Sequence, residues 1–539
     1  MDFYYTKKRE FKSYAQRSVA MGRNGMAASS QPLATAAGHR ILAKGGNAVD
    51  AAVAMVSTLN VVEPQSVGLG GDAFALIYLA KENKIVGMNG SGRAPKRADI
   101  NFFNEKGIKE MPLRGILPVT VPGALHGWAE AANKYGKLPL SVIFDDAINY
   151  AENGFPVSEI IAGEWKNVET VLQSHGSHSY LINGQAPKPG QIFRNQDLAR
   201  SYKKIVRDGI GALYEGEIGE AIVKFAQKHQ GLLAQEDLKN HTTTWVEPIS
   251  STYRGYTIYE LPPNGQGLTA LEMLNILEGY NMAELGHNSP DYLHLLIEAK
   301  KIAFNDRDFF ITDPECEDIP LDILISKEYA AQCRSKIDHK VARVPSGTLI
   351  NPKGSDTVYL TAVDQEGNAV SFISSIFLHF GSGMVVDDTG IVLQNRGRSF
   401  SLDPKHPNCV RPNKRPMHTI IPGMLFKDGR FLMSFGVMGG DFQPQGHTQF
   451  LMNLIDFNMN LQEAVDAPRM NHIAGKEIYM EGGFSQETAL ALEERGHEII
   501  QEEHPVNITG GGQAIFLDPN EKVLLGASDR RKDGCAIGY

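Results

Sequence analysis

The chain reads as an α+β protein in which helices pack on sheets and most C-terminal strands run antiparallel. Three observations carry this: an alanine-rich helical stretch over 33–62, an almost wholly apolar run over 73–79, and an alternating hairpin over 357–375. In 33–62 the apolar residues recur at helical spacing, and Gly45-Gly46 interrupts them, since each glycine costs a helix interior about 1 kcal/mol. Gly68-Leu69-Gly70-Gly71-Asp72 then turns into 73–79, a β-prone run without a polar face, as a strand buried on both faces requires. Residues 120–153 are helical again, helices dominate 195–340, and a strand pair fits near 244–260. The tract 344–356 is rich in Pro, Gly and Ser. Beyond it, 357–363 pairs with 369–375 across Asp364-Gln365-Glu366-Gly367-Asn368, which is good turn chemistry. The twofold period of a strand puts Thr357, Tyr359, Thr361 and Val363 on one face and Val358, Leu360 and Ala362 on the other. Strands near 390–394 and 430–436 and a helix near 446–467 complete the order.

Composition excludes several functions. With 539 residues, 42% hydrophobic and 21% charged, the chain is an ordinary soluble globular protein, long enough for several domains or one large core. A formal charge of −9 argues against nucleic acid or an anionic membrane as partner. Cys316, Cys333, Cys409 and Cys535 are scattered without CxxC pairing, which suggests neither a disulfide framework nor a zinc site. HExxH is absent and His418 and His447 stand isolated, so no metal is expected, and no cofactor. The glycines of 70–72 and 90–93 lack the endings of phosphate-cradling loops and read as tight turns. The first residues carry charge without an apolar stretch behind them, and the apolar helix near 51–62 is too short to cross a bilayer. The expected location is the cytoplasm.

Two places carry chemistry. Thr357 stands where the loop-like tract meets the hairpin, immediately after Asp356. Threonine is β-branched, and a strand start is an ordinary place for it. If the Asp356–Thr357 bond were cut, however, Thr357 would hold a nucleophilic hydroxyl and a free α-amine on one residue. An α-amine titrates near ~8 rather than the ~10.4 of lysine, so it can serve as base near neutrality. Further on, 434–438 leaves a strand and meets Gly439-Gly440. This is either a strand-end turn or a pair of unobstructed backbone N–H groups that could hold an oxyanion.

The chain resembles the γ-glutamyltranspeptidase family of N-terminal-nucleophile hydrolases over essentially its whole length. The resembling segments include Gly45-Gly46-Asn47-Ala48-Val49-Asp50-Ala51-Ala52, Gly92-Arg93-Ala94-Pro95, Val121-Pro122-Gly123 and the 357–375 hairpin. Phe380-Gly381-Ser382-Gly383, Pro412-Asn413-Lys414-Arg415-Pro416-Met417, Gly439-Gly440 and Ala467-Pro468-Arg469 follow in the family's order. The resemblance implies a four-layer αββα sandwich, made as a precursor that cuts itself between Asp356 and Thr357. Residues 1–356 would form a large subunit and 357–539 a small one, held together in one domain. Thr357 would be the nucleophile, Ser375 would stand where the family has a hydroxyl that tunes it, and Gly439 and Gly440 would form the oxyanion hole, each donor worth ~3 kcal/mol. Arg93 would bind the substrate carboxylate with its planar fork.

Other positions depart from the family. Phe377 stands in place of asparagine, Arg396 in place of glutamine, Ser399 in place of the aspartate that grips the glutamyl α-ammonium, and His418-Thr419 in place of paired serines. The 400–418 span is short beside members that carry a lid. Arginine for glutamine and serine for aspartate both remove affinity for a cationic amine. The resemblance implies a small-molecule γ-glutamyl amide as donor and water, an amino acid or a peptide as acceptor. The alternatives are a cephalosporin (glutaryl) acylase that hydrolyses dicarboxylic acyl amides, and a non-catalytic relative that keeps the fold for binding.

Overall fold

The computed structural model describes residues 17–343, 357–501 and 507–539. Two seven-stranded sheets lie face to face. The first runs in the order Cys535–Gly538, Gly25–Ser29, Val358–Asp364, Ala369–Ser375, Asp72–Leu79, Lys84–Asn89, Thr244–Val246. The second runs Ala20–Gly22, Leu524–Ser528, Gly511–Leu517, Arg430–Met438, Gly423–Lys427, Tyr256–Glu260, Ile249–Tyr253. Every pairing within these two sheets is antiparallel.

Period-two alternation explains why both faces are covered. In Asp72–Leu79, Ala73, Ala75 and Ile77 join the core under the helices Ala48–Val62 and Ala124–Tyr135, while Phe74, Leu76 and Tyr78 join the core between the sheets. Val358, Leu360 and Ala362 divide from Tyr359 and Val363 in the same way. The second sheet sends Met433, Phe435 and Val437 toward the helices Gly267–Leu277, Pro290–Phe310 and Gln443–Ile455. The result is a helix–sheet–sheet–helix sandwich, the four layers that the resemblance implies. No helix among the described residues is long and apolar enough to cross a membrane.

Several local expectations need correction. The stretch 33–62 is two helices, Pro32–Ala43 and Ala48–Val62, broken at the Gly45-Gly46 interruption, and Asn47 and Asp50 close a capping box on the second. The helix expected over 446–467 is also two, Gln443–Ile455 and Leu461–Asp466, because Asn458 turns left-handed at φ 52° and Asn460 caps a new start. No regular strand forms at 390–394, where only isolated bridges join Leu393 to Gly70 and Val392 to Val385. The strand pair near 244–260 is three strands, of which the first belongs to the other sheet.

The glycines of 70–72 close a tight turn, in which the Gly71 N–H donates to the Gly68 carbonyl at 3.0 Å, whereas 90–93 form no turn, and both stretches also serve close approach. A Cβ at Gly70 would strike the Val392 carbonyl, one at Gly71 the Ser375 carbonyl, and one at Gly92 the Val121 carbonyl. These glycines let backbones approach where the Asp72 strand, the 390s segment and the end of the 357–375 hairpin converge. Arg469, in the Ala467-Pro468-Arg469 motif, is a buried brace: it pairs with Asp529 at 2.7 Å and donates to the Thr509 carbonyl at 3.0 Å. That holds the start of Gly511–Leu517 against Gly439, whose Cβ position lies 3.1 Å from Gly510 Cα.

Candidate active site

Asp356 lies outside the described residues; Thr357 is the residue just before the strand Val358–Asp364 and is 1% exposed. The hairpin register pairs Val358 with Ser374, which sets Thr357 opposite Ser375. Thr357 Oγ1 donates to Ser375 Oγ at 3.2 Å, and the Phe377 N–H donates to the same oxygen at 2.8 Å. The face of the hairpin that carries Thr357 looks across to the second sheet. There Thr361 hydrogen-bonds Ser434, and the Tyr359 ring fills the space over Gly436. The same two-residue step carried one place further pairs position 357 with Met438, after which the chain continues as Gly439-Gly440.

Both glycines have left-handed backbone, φ 129° at Gly439 and 58° at Gly440, which a side chain would strain. Among the described residues neither N–H has a hydrogen-bond acceptor. The pair opens the turn Gly440–Phe442 that leads into Gln443–Ile455, which sets two backbone N–H groups at a helix entry. Gln266 fixes this turn by donating to the Gly440 carbonyl at 2.8 Å and the Thr419 carbonyl at 2.6 Å, while its own carbonyl accepts from Arg307 at 3.0 Å. Arg307 also holds Asp441 at 2.7 Å. Gln266, Arg307 and Asp441 went unnoticed in the sequence; only the position of Asp441 directly after the glycines could have drawn attention to it.

Beside this turn lies a cavity of about 280 Å³ lined by Phe377, Ser399, Phe400, Met417, Thr419 and Asp441, among others. The short 400–418 segment forms one wall of it. Phe377 sits there with φ 78°, a conformation that aromatic residues rarely adopt and that marks a constrained site. Behind Phe377 and Thr419 stands Arg396, fully buried. Its guanidinium carbon is 4.1 Å from the Phe377 ring centre, and Nη1 donates to Thr419 Oγ1 at 3.0 Å. Burial pulls its pKa down to about 9, opposed by the charges of Asp72 and Asp441.

His418 does not reach the cavity. Its Nε2 lies 3.1 Å from Asp72 Oδ2, and the Ile420 N–H donates to Nδ1 at 3.3 Å, so Nε2 carries the hydrogen. Burial, with the Arg396 charge adding to it, pulls this imidazole down to about 4, so the contact with Asp72 is a neutral hydrogen bond rather than an ion pair at neutral pH. Asp72 in turn accepts from the Gly92 N–H at 2.8 Å and Gln394 at 2.9 Å.

Arg93 is placed otherwise than the resemblance implies. Its Nη2 lies 2.9 Å from both carboxylate oxygens of Glu315, and Nη1 reaches Asp313 at 3.4 Å. Arg415 takes a Glu315 oxygen at 3.0 Å as well. Arg93 does not line the cavity that holds Phe377 and Ser399. The arrangement thus gathers Thr357, Ser375, Gly439, Gly440, Phe377, Arg396, Ser399 and Thr419, sets His418 one layer back, and leaves Arg93 engaged with protein carboxylates.

The family model for Gamma-glutamyltranspeptidase matches residues 34–539. The chain is 40% identical to the glutathione hydrolase-like YwrD proenzyme of Bacillus subtilis over 96% of its own length and 99% of that protein. It is 36% identical to the acylase ACY 1 proenzyme of a Pseudomonas species, over 97% and 95% of the two chains. Its fold superposes on the crystal structure of cephalosporin acylase from Bacillus halodurans with a TM-score of 0.92, at 43% identity and 99% coverage of both chains.

Proposed function

The chain belongs to the gamma-glutamyltranspeptidase family, and from that premise we propose that it is a self-processing threonine amidohydrolase acting on γ-glutamyl amides. The observation that supports the reading is that the hairpin beginning at Thr357 meets, through Thr361 and Tyr359, the strand that runs on through Ser434 and Gly436 into Gly439-Gly440. In the first step Thr357 Oγ attacks the Asp356 carbonyl carbon, the peptide C–N bond breaks, and an ester forms. Water then opens the ester, leaving an Asp356 carboxylate and a free Thr357 α-amine.

In turnover the same Oγ attacks the amide carbon of the donor while the α-amine takes its proton. The oxyanion is held by the N–H groups of Gly439 and Gly440. Collapse breaks the C–N bond, the α-amine passes the proton to the departing amine, and the acyl group remains on Thr357 until water or an acceptor amine takes it. Ser375, hydrogen-bonded to Oγ1, orients the nucleophile.

A second reading, a glutaryl acylase, is favoured by Phe377, Arg396 and Ser399, because none of them offers an anion to pair with an α-ammonium and the guanidinium repels it. Steady-state rates on γ-glutamyl-p-nitroanilide and glutaryl-p-nitroanilide separate the two, since these compounds differ only by the amine. The glutaryl compound is expected to be turned over at least as well. A strong preference for the glutamyl compound would remove the acylase reading, and failure to turn over either would remove both.

A further inference from the structure

Arg396 is a charge waiting for a partner. It is fully buried, yet among the described residues its Nε and Nη2 have no hydrogen-bond acceptor and no carboxylate stands within ion-pair distance of it. Its polar contact is Thr419 Oγ1, and the Phe377 ring covers it at 4.1 Å. The nearest acidic charges are committed elsewhere, Asp72 to His418, Gln394 and the Gly92 N–H, and Asp441 to Arg307. A guanidinium desolvated without an anion is destabilising, and a ligand carboxylate offsets that by pairing with the open edge. Phe377 and Thr419, both in contact with Arg396, line the cavity beside Gly440, so the open donors lie behind its wall. The other candidate for such a ligand, Arg93, already closes on Glu315.

We propose that Arg396 is the receptor for the terminal carboxylate of the acyl donor, reached past the Phe377 ring, and that the enzyme therefore selects short dicarboxylic monoamides through Arg396 rather than Arg93. The proposal rests on the acyl-transfer reading above and narrows its substrate class: an acyl chain of a few carbons, anionic at the far end, with or without an α-amine. The fork of an arginine suits two carboxylate oxygens, which the family's glutamine in this position does not.

The test compares the cleaved wild-type enzyme with R396Q and R93Q on glutaryl-p-nitroanilide and on valeryl-p-nitroanilide, its neutral counterpart of equal chain length. R396Q is expected to lower kcat/KM for the glutaryl compound by roughly 30-fold or more, mainly through KM, and to collapse the preference for glutaryl over valeryl. R93Q is expected to change that preference by less than about 3-fold, since its fork is held by Glu315. If R93Q collapses the preference and R396Q does not, or if the wild type shows no preference, the assignment is wrong while acyl transfer stands. Calorimetric titration of free glutarate supplies a readout without turnover. Binding by the wild type that weakens at least ~10-fold in R396Q, or in R396K should R396Q not mature, supports the receptor even where neither anilide is hydrolysed. Glutarate binding that is indifferent to both variants, or absent in the wild type, overturns it.

Discussion

Thr357 and Ser375 close the open end of one hairpin, with the threonine hydroxyl donating across 3.2 Å to a serine oxygen that also accepts the Phe377 N–H. The serine spends its lone pairs on two donors, which fixes where the threonine oxygen can point. T357A is therefore expected to remain a single band on a denaturing gel, without activity, where the wild type gives bands of about two-thirds and one-third of the mass. Continued splitting of T357A at the same bond would show that another group cuts it. S375A is expected to mature more slowly and to lose about 5–10-fold in kcat, the worth of one buried hydrogen bond, and S375T to recover it.

Gly439 combines a backbone only glycine adopts without strain with a Cβ position 3.1 Å from Gly510 Cα. G439A must therefore turn the peptide planes of the glycine pair. The expected result is a loss of about 10²–10³ in kcat with KM changed by less than a few-fold, because the displaced donors act on the transition state. A wild-type kcat in G439A would mean that these N–H groups do not hold the oxyanion.

What could be read in the sequence was what depends on neighbours along the chain. The faces of the 357–375 hairpin follow from a twofold period, and the second helix start near 460 was present as Asn460-Leu461-Gln462-Glu463, a capping box passed over in favour of one long helix. What could not be read depends on what comes near from far away. Thr361 meets Ser434 across two sheets, and nothing local to either residue says so. Gly92 reads like a turn glycine because one needed for close approach differs from it only in the backbone opposite, here the Val121 carbonyl. Val392 and Leu393 had the composition of a strand, but the segment is fastened by single bridges and by packing. Arg93 was matched by its motif, and its engagement with Glu315, more than two hundred positions away, was invisible there.

The Arg93–Glu315 contact makes a further prediction. Glu315 is 53% exposed at its side chain and stands on a loop, so its hold on Arg93 is a partly solvated ion pair worth little in stability. E315Q is expected to leave the melting temperature within about 2 °C of the wild type. It should leave KM for γ-glutamyl-p-nitroanilide within about 2-fold of the wild type, because Arg93 does not line the cavity and a partly solvated pair contributes little. A rise in KM would show instead that Glu315 holds Arg93 in its working position.

His418 gives the site a stability that depends on pH. Its imidazole is pulled down to about 4 by burial and by the nearby Arg396 charge, whereas in the unfolded chain it titrates near ~6.5. Between these values the unfolded chain binds the proton and the folded chain does not, so acid favours unfolding. The contribution is present in full above about pH 6.5 and is lost as pH falls toward about 4, a change of roughly 3 kcal/mol. H418Q cannot take up that proton but can still donate to Asp72. Denaturant unfolding at pH 7, 6, 5 and 4.5 should therefore show the wild type losing stability faster than H418Q, with the gap between them shifting in favour of the variant on acidification. Parallel curves would mean that the folded protein accommodates a charged imidazole beside Arg396. In that case Asp72 would outweigh the arginine and the cost of burial, and the guanidinium would have a carboxylate neighbour strong enough to make a ligand anion superfluous.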